Sequence, residues 1–284
     1  MNPELIVYTL FGLIIGSFLN VCTYRIPLGK SIVFPGSSCP ECGNSIRFYD
    51  NIPVVSYLLL RGKCRFCCKP ISIQYPIVEL LTGIAFYVCG KTWSFGSPTY
   101  VNSLFLSILI VLVFTDHHHR LLPNVLTLPG TIAGILLSPF QKPPSGQLDS
   151  YFSDWLSVKI ASLLFPKNPE AILPWVGSIM GAVIGGGVLL VLGLGYEKLR
   201  KRQGLGMGDV KMMAMVGAFL GYYLAFVTIF FGSFLGLLLG IYLILFRKMN
   251  LQTKLAFGVF LGIGAAISLF YGFPFLRWYF RFYQ

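Results

Sequence analysis

Acidic side chains are scarce in this 284-residue chain. Asp and Glu number 10 against 22 Lys and Arg, and charged residues of all kinds make up only 11% of the sequence. Soluble domains sit near a quarter charged, so the shortage excludes an ordinary soluble globular protein. A glycine-rich Rossmann fingerprint is missing too, as are internal repeats and low-complexity tracts. The first apolar run, Leu5 to Val21, lacks the basic flank and small-residue cleavage site of a secretory signal, so it reads as a first transmembrane helix.

What the chain has in abundance is apolar sequence, at 55% of all residues. Runs long enough to cross a ~30 Å hydrocarbon core recur along it. They fall at about 5–21, 73–90, 99–115, 122–138, 173–195, 210–224, 226–246 and 255–273, the sixth and seventh running together. The loops then alternate sides. Sixteen Lys and Arg belong to one side and six to the other, which by the positive-inside rule makes the first side cytosolic and leaves the N-terminus outside. Topology therefore accounts for the net charge of +12, and nucleic acid is not an expected partner.

The expected fold is an all-α integral membrane protein, a polytopic bundle of about eight transmembrane helices. Residues 1–21 form the first helix and residues 22–72 a small cytosolic zinc-binding loop domain between the first two spans. Residues 73–284 form the remaining bundle. Within it, the Pro-, Gly- and Ser-rich stretch 139–172 is an external loop with a short interfacial helix near Trp155 to Phe165.

The loop domain contains CPECG (Cys39, Cys42) and CRFCC (Cys64, Cys67, Cys68). Each CxxC turn aims two thiolates at one point, and two such turns supply the tetrahedral sulfur set that Zn²⁺ favours. Four sulfurs leave no open position for water, so the zinc is expected to be structural. A pair of disulfides is the alternative, disfavoured on a cytosolic face. Cys68 competes with Cys67 as fourth ligand, but the CxxC register favours Cys67. Cys22 and Cys89, at span ends, read as small apolar fillers.

Among the ten acids, Glu79, Asp116, Glu197 and Asp209 lie in or beside spans, where an ionisable group is costly and a functional candidate. Asp116 ends the third span and Asp209 opens the sixth. Two spans intervene, so the chain returns to the same face and the two carboxylates can meet at one depth. Two close carboxylates do not both ionise cheaply, and one can keep a proton while the other takes one from water, as in aspartic proteolysis. Asp209 also reads as a helix N-cap. Gly204, Gly206 and Gly208 leave bare backbone beside it, with Gly206 and Gly208 the candidate contacts for an extended substrate. His117, His118 and His119 do not share a helix face and read as interfacial. Glu79 has no partner evident in the sequence, and Glu197 reads as a surface ion-pair partner.

Several segments, in order along nearly the whole chain, resemble the prepilin peptidases, the type IV leader peptidase family of membrane aspartic proteases. They are GLIIGSFLNVCTYRIP (12–27), the two CxxC turns, ISIQYPIVELLTG (71–83), TDHHHRLLPNVLTLPG (115–130) and GLGMGDVKMMAMVGAFLG (204–221). The resemblance implies that Asp116 and Asp209 are catalytic and cut the basic leader from the N-terminal segments of type IV prepilins and pseudopilins. It implies the same of the setting: a bacterial plasma (inner) membrane, with the active site facing the cytosol. Members with the four-cysteine loop also methylate the new N-terminus, with S-adenosylmethionine as donor. The chain departs from the family at Ala256 and Val259, where prolines are frequent, and in the histidine run after Asp116. Rival readings are a transporter or channel with a zinc-knuckle docking loop, and a non-catalytic assembly factor of a pilus or secretion machine.

Overall fold

A computed structural model describes residues 2–141, 155–166, 168–201, 204–247 and 256–282. Among them the regular elements are helices, with two isolated β-bridges in the cysteine loop. The α-helices are α1 (Pro3–Arg25), α2 (Val55–Leu59), α3 (Gln74–Trp93), α4 (Ser97–His119), α5 (Asn124–Leu137), α6 (Trp155–Leu164), α7 (Leu173–Arg200), α8 (Met207–Arg247) and α9 (Phe257–Arg281). Helix is the expected outcome for apolar sequence in lipid, where each backbone N–H and C=O must find its partner within the segment. The ends follow local chemistry. Asn2 accepts the Glu4 N–H at 3.1 Å ahead of Pro3, and Arg25 sits in the last turn of α1.

Five helices, α1, α4, α7, α8 and α9, are long and apolar enough to cross a membrane among the described residues. The 20-residue α3 and 14-residue α5 cover the second and fourth expected spans, and α6 covers the expected interfacial helix. The sixth and seventh expected spans are one element, the 41-residue α8. Unbroken, it would reach about 60 Å, twice the hydrocarbon thickness. The chain instead breaks at Gly221, with φ 77° and ψ 170°, rather than near residue 225. That φ is open to glycine at little cost, and hydropathy carries no trace of it. Residues 142–154, the Pro-rich opening of the external loop, and Lys254 lie outside the described residues.

The chain forms two compact units, one up to Thr115 and the other from Asp116 on. In the first, α1 lies against α3 with Gly16 as the point of contact. A Cβ there would stand 2.6 Å from the Cα of Glu79. Polar ties reinforce the packing, with Asn20 Nδ2 donating to Tyr75 O at 3.0 Å and Tyr8 OH to Ser103 Oγ at 2.9 Å. Cys22 and Cys89 are buried thiols in this unit, as fillers would be.

In the second unit α7 and α8 meet backbone to backbone. A Cβ on Gly181 would collide with the carbonyl of Gly217, and one on Gly217 with the carbonyl of Gly181. Small residues at a crossing let two helices approach closely enough for van der Waals contact to replace the hydrophobic driving force that lipid does not provide. Ser178 Oγ adds an interhelical bond to Ala218 O at 2.6 Å. Gly181→Ala or Gly217→Ala is therefore expected to cost about 1–3 kcal/mol through overpacking. Gly187→Ala and Gly240→Ala, where a Cβ meets open space, should be neutral or stabilising. Thermal unfolding in detergent checks this, and equal effects at all four positions would contradict it.

Candidate active site

The two CxxC turns are built alike. Cys39 N–H donates to Asn44 O and Gly43 N–H to Cys39 O, both at 2.9 Å. In the second turn Cys64 N–H donates to Lys69 O at 2.9 Å and Cys68 N–H to Cys64 O at 3.0 Å. Gly43 and Cys68 thus hold equivalent places, and both have positive φ, 69° and 57°. Cys68 stands where the first turn has its glycine and falls outside the sulfur group. The Sγ atoms of Cys39, Cys42, Cys64 and Cys67 all lie within 4.8 Å of one another, with Cys39 and Cys67 3.9 Å apart.

A zinc ion with Zn–S bonds of ~2.3 Å needs sulfurs about 3.8 Å apart, so this group could hold zinc. All seven cysteines are free. The thiols differ in their surroundings. Backbone N–H groups of Cys67 and Phe66 bring Cys64 down to about 7. Cys67 has help from the Lys69 amide, but desolvation and the neighbouring thiols outweigh it and push Cys67 up to about 11. Ion pairs pin the rim. Arg65 grips Asp50 with two hydrogen bonds, 2.8 and 2.6 Å, and holds that carboxyl below its ordinary range, while Lys69 pairs with Glu41.

Asp116, only 6% exposed, sits in the last turn of α4. Its Oδ2 accepts the Val259 N–H at 3.1 Å, and the Gly258 amide donates to the same carboxylate. Both donors lie in the first turn of α9, whose N–H groups have no partners within the helix. Asp209 is held in a parallel way at the start of α8. It is the third residue of that helix rather than its N-cap, which corrects the capping reading. Its backbone N–H donates to Gly206 O at 3.1 Å, and the Gly206 N–H donates back to its carboxylate. That reciprocal pair is the acidic half of a capping box, and an acid suits the positive end of a helix.

Leu122 joins the two carboxylates. A Cβ on Gly258 would stand 2.8 Å from Asp116 Oδ2 and 3.0 Å from Leu122 Cδ1. The same Cδ1 lies 3.4 Å from where Gly208 would carry its Cβ, one residue before Asp209. Asp116 and Asp209 thus flank one buried leucine and feel each other's charge. Gly208 backs onto Leu122, whereas Gly206 borders the Asp209 carboxylate, its Cβ position 3.3 Å from Oδ2. Lys211 reaches away to donate to Asn124 Oδ1 at 2.9 Å, at the start of α5.

The remaining candidates resolve differently. His117, His118 and His119 are exposed at the end of α4 with neighbouring rings in contact; no metal group among the described residues includes them. Glu79 has a partner the sequence did not name. Its Oε2 accepts the Val54 N–H at 2.7 Å, and Ser17 donates to the same carboxylate. Val54 has φ 62°, costly for a β-branched residue, and the buried acid holds its amide there. Gly258, Leu122 and Val54 escaped sequence reading because they act through backbone or shape, and Val259 stood out there only as a departure from the family pattern.

Comparison with known proteins identifies the family. Residues 10–93 match the model of the bacterial peptidase A24 N-terminal domain, and residues 103–241 that of the type IV leader peptidase family. A protein of Pseudomonas putida named prepilin leader peptidase/N-methyltransferase is 31% identical over 290 residues, covering 93% of this chain and 89% of its own. One of that name from Aeromonas hydrophila is 32% identical, covering 95% and 91%. Another, from Myxococcus xanthus, is 37% identical over 209 residues, covering 74% of this chain and 54% of the relative. No solved structure matches. Matched along nearly its whole length by such relatives, the chain belongs to the type IV leader peptidase family of aspartic peptidases.

Proposed function

We propose that the protein removes the leader peptide from type IV prepilins and pseudopilins at the cytosolic face of the bacterial inner membrane, with Asp116 and Asp209 as the reacting pair, and then methylates the new N-terminus. The observation that carries the reading is the meeting of the two aspartates at Leu122, each carboxylate aimed by backbone amides at a helix start. Family membership supplies the substrate class. A transporter or channel needs neither amide-held pair.

In this mechanism the substrate's apolar helix lies among the spans and its basic leader remains in the cytosol. The extended segment to be cut runs beside Gly206 and Gly208. One carboxylate takes a proton from a water held between the pair, and the water oxygen bonds to the scissile carbonyl carbon. The other carboxyl gives its proton to the carbonyl oxygen. As the tetrahedral intermediate collapses, the first carboxyl passes its proton to the leaving nitrogen, the C–N bond breaks, and a hydroxyl proton returns to the second. The dyad is regenerated, the pilin leaves as an amine, and the leader leaves as a carboxylic acid that then gives its proton to solvent.

The second activity follows from the relatives' shared name. S-adenosylmethionine would supply the methyl group to the new amine, leaving as the thioether S-adenosylhomocysteine while the amine gives up a proton. A cleft of about 300 Å³ beside α1 suits such an amphipathic donor. Ile14, Phe18 and Val21 give it an apolar wall, and Ser17, Arg25 and Asn51 a polar one. Cys39, Cys42, Cys64 and Cys67 would hold a structural zinc that fixes the loop domain without taking part in either reaction.

Three outcomes are expected. With a synthetic prepilin in proteoliposomes, Asp116→Ala and Asp209→Ala each abolish leader release, read by product mass; cleavage by either variant would sink the dyad. Adding S-adenosylmethionine to the wild-type protein raises the mass of the mature product by one methyl group, and an unchanged mass would remove the second activity. Metal analysis of the reduced protein should find one zinc per chain in the wild type and in Cys68→Gly, and loss of it in Cys67→Ser. Loss in Cys68→Gly instead would exchange the fourth ligand.

A further inference from the structure

Val54 carries a backbone conformation that valine seldom adopts. At φ 62° and ψ −49° it is the centre of a γ-turn, closed by the Val55 N–H donating to Pro53 O at 2.6 Å. That form of the turn is rare and strained, and a β-branched residue suits it poorly. Such strain persists only where surrounding contacts over-determine it. Here they come from two sides. Ahead of the turn, the Ile52 N–H donates to the Oγ of buried Ser56 at 3.0 Å, and that hydroxyl donates to Tyr49 O at 2.9 Å. At its centre, the Val54 N–H donates to Glu79 Oε2 at 2.7 Å. Glu79, only 7% exposed, also accepts from Ser17.

The turn lies at the rim of the 300 Å³ cleft beside α1, which Ser17, Asn51 and Pro53 line directly. Glu79 bonds to Ser17 on the α1 wall and to Val54, next to Pro53. A second part of the rim, around Gly36, is also held through backbone groups. Arg25 donates there to Ser31 O and Gly36 O, each at 3.1 Å. We infer that Glu79 is a positioning residue for methyl transfer. Its carboxylate holds the Val54 amide, and with it the Asn51–Pro53 rim, in the shape that receives the donor. The inference rests on the reading of that cleft as the S-adenosylmethionine site. Without the acceptor, the turn loses the bond that offsets its strain and keeps a half-buried N–H unpaired, so the rim relaxes. Peptide cleavage does not depend on it, since Asp116 and Asp209 belong to the other compact unit.

Glycine adopts a positive φ at little cost, so Val54→Gly should make the Glu79 bond dispensable. Methylation of a synthetic mature pilin peptide is followed with the full-length protein in proteoliposomes at varied S-adenosylmethionine. Glu79→Ala is expected to raise KM for S-adenosylmethionine by about tenfold or more, with leader cleavage and zinc content as in the wild type. Glu79→Gln, which keeps an acceptor, should stay within about threefold of the wild type. The double variant Glu79→Ala/Val54→Gly should recover most of the affinity. Wild-type KM in Glu79→Ala, or no recovery with Val54→Gly, would overturn the inference. Parallel losses of cleavage and methylation would overturn it too, by showing a merely structural role, and so would a fall in kcat at constant KM. Val21→Trp, which fills the cleft, tests the donor site separately. Normal methylation by Val21→Trp would bring down the donor site itself. Impaired methylation there, beside a wild-type KM in Glu79→Ala, would overturn the inference alone.

Discussion

The hydrogen bond from the Val259 N–H to Asp116 crosses 143 positions of sequence and ties the start of α9 to the end of α4. Such a bond solves two problems of an apolar interior at once. A carboxylate buried to 6% exposure needs donors, and a helix start without a side-chain cap needs an acceptor. The same solution recurs at Asp209, whose carboxylate accepts from the Gly206 amide at the start of α8. Two acids that would each be a burden alone become the caps that close two helices. Leu122 then sets the spacing, with Gly258 on one flank and Gly208 on the other.

Close approach is what the glycines contribute throughout the second unit. Gly181 and Gly217 bring α7 and α8 together, and Gly264 brings α9 to α8, where a Cβ would lie 2.7 Å from Thr228 O. A bundle drawn in this tightly holds its carboxylates by backbone, which has little freedom to reorganise. The loop domain of the first unit uses a different device. Two matching turns converge four sulfurs, and ion pairs at Asp50 and Glu41 brace them from outside. Glu79 ties that loop to α3 through the Val54 amide.

Much of this was legible in the sequence, for reasons that are physical. Apolar runs of fixed length, the sparse acids and the paired CxxC turns are all side-chain signals, and the helices, the sulfur group and the buried Asp116 follow from them. An even count of spans between Asp116 and Asp209 was enough to expect the two on one face. What escaped was carried by backbone. The break in α8 is a φ value at Gly221. The CxxC register already sets Cys68 behind Cys67, but does not show that Cys68 takes a glycine's place at φ 57°. Asp209 looked like a cap and is the third residue of its helix, reaching back to Gly206. Val259 stood out only as a departure from the family pattern, and the N–H that proline lacks is what meets Asp116.

The central claim is that the two aspartates act as one unit on one water. Leader cleavage by Asp116→Asn, Asp209→Asn and the double variant measures this most directly. Groups acting as a unit are strongly non-additive, so the double variant is expected to be no slower than either single one. Two partial losses that multiply in the double variant would contradict the account.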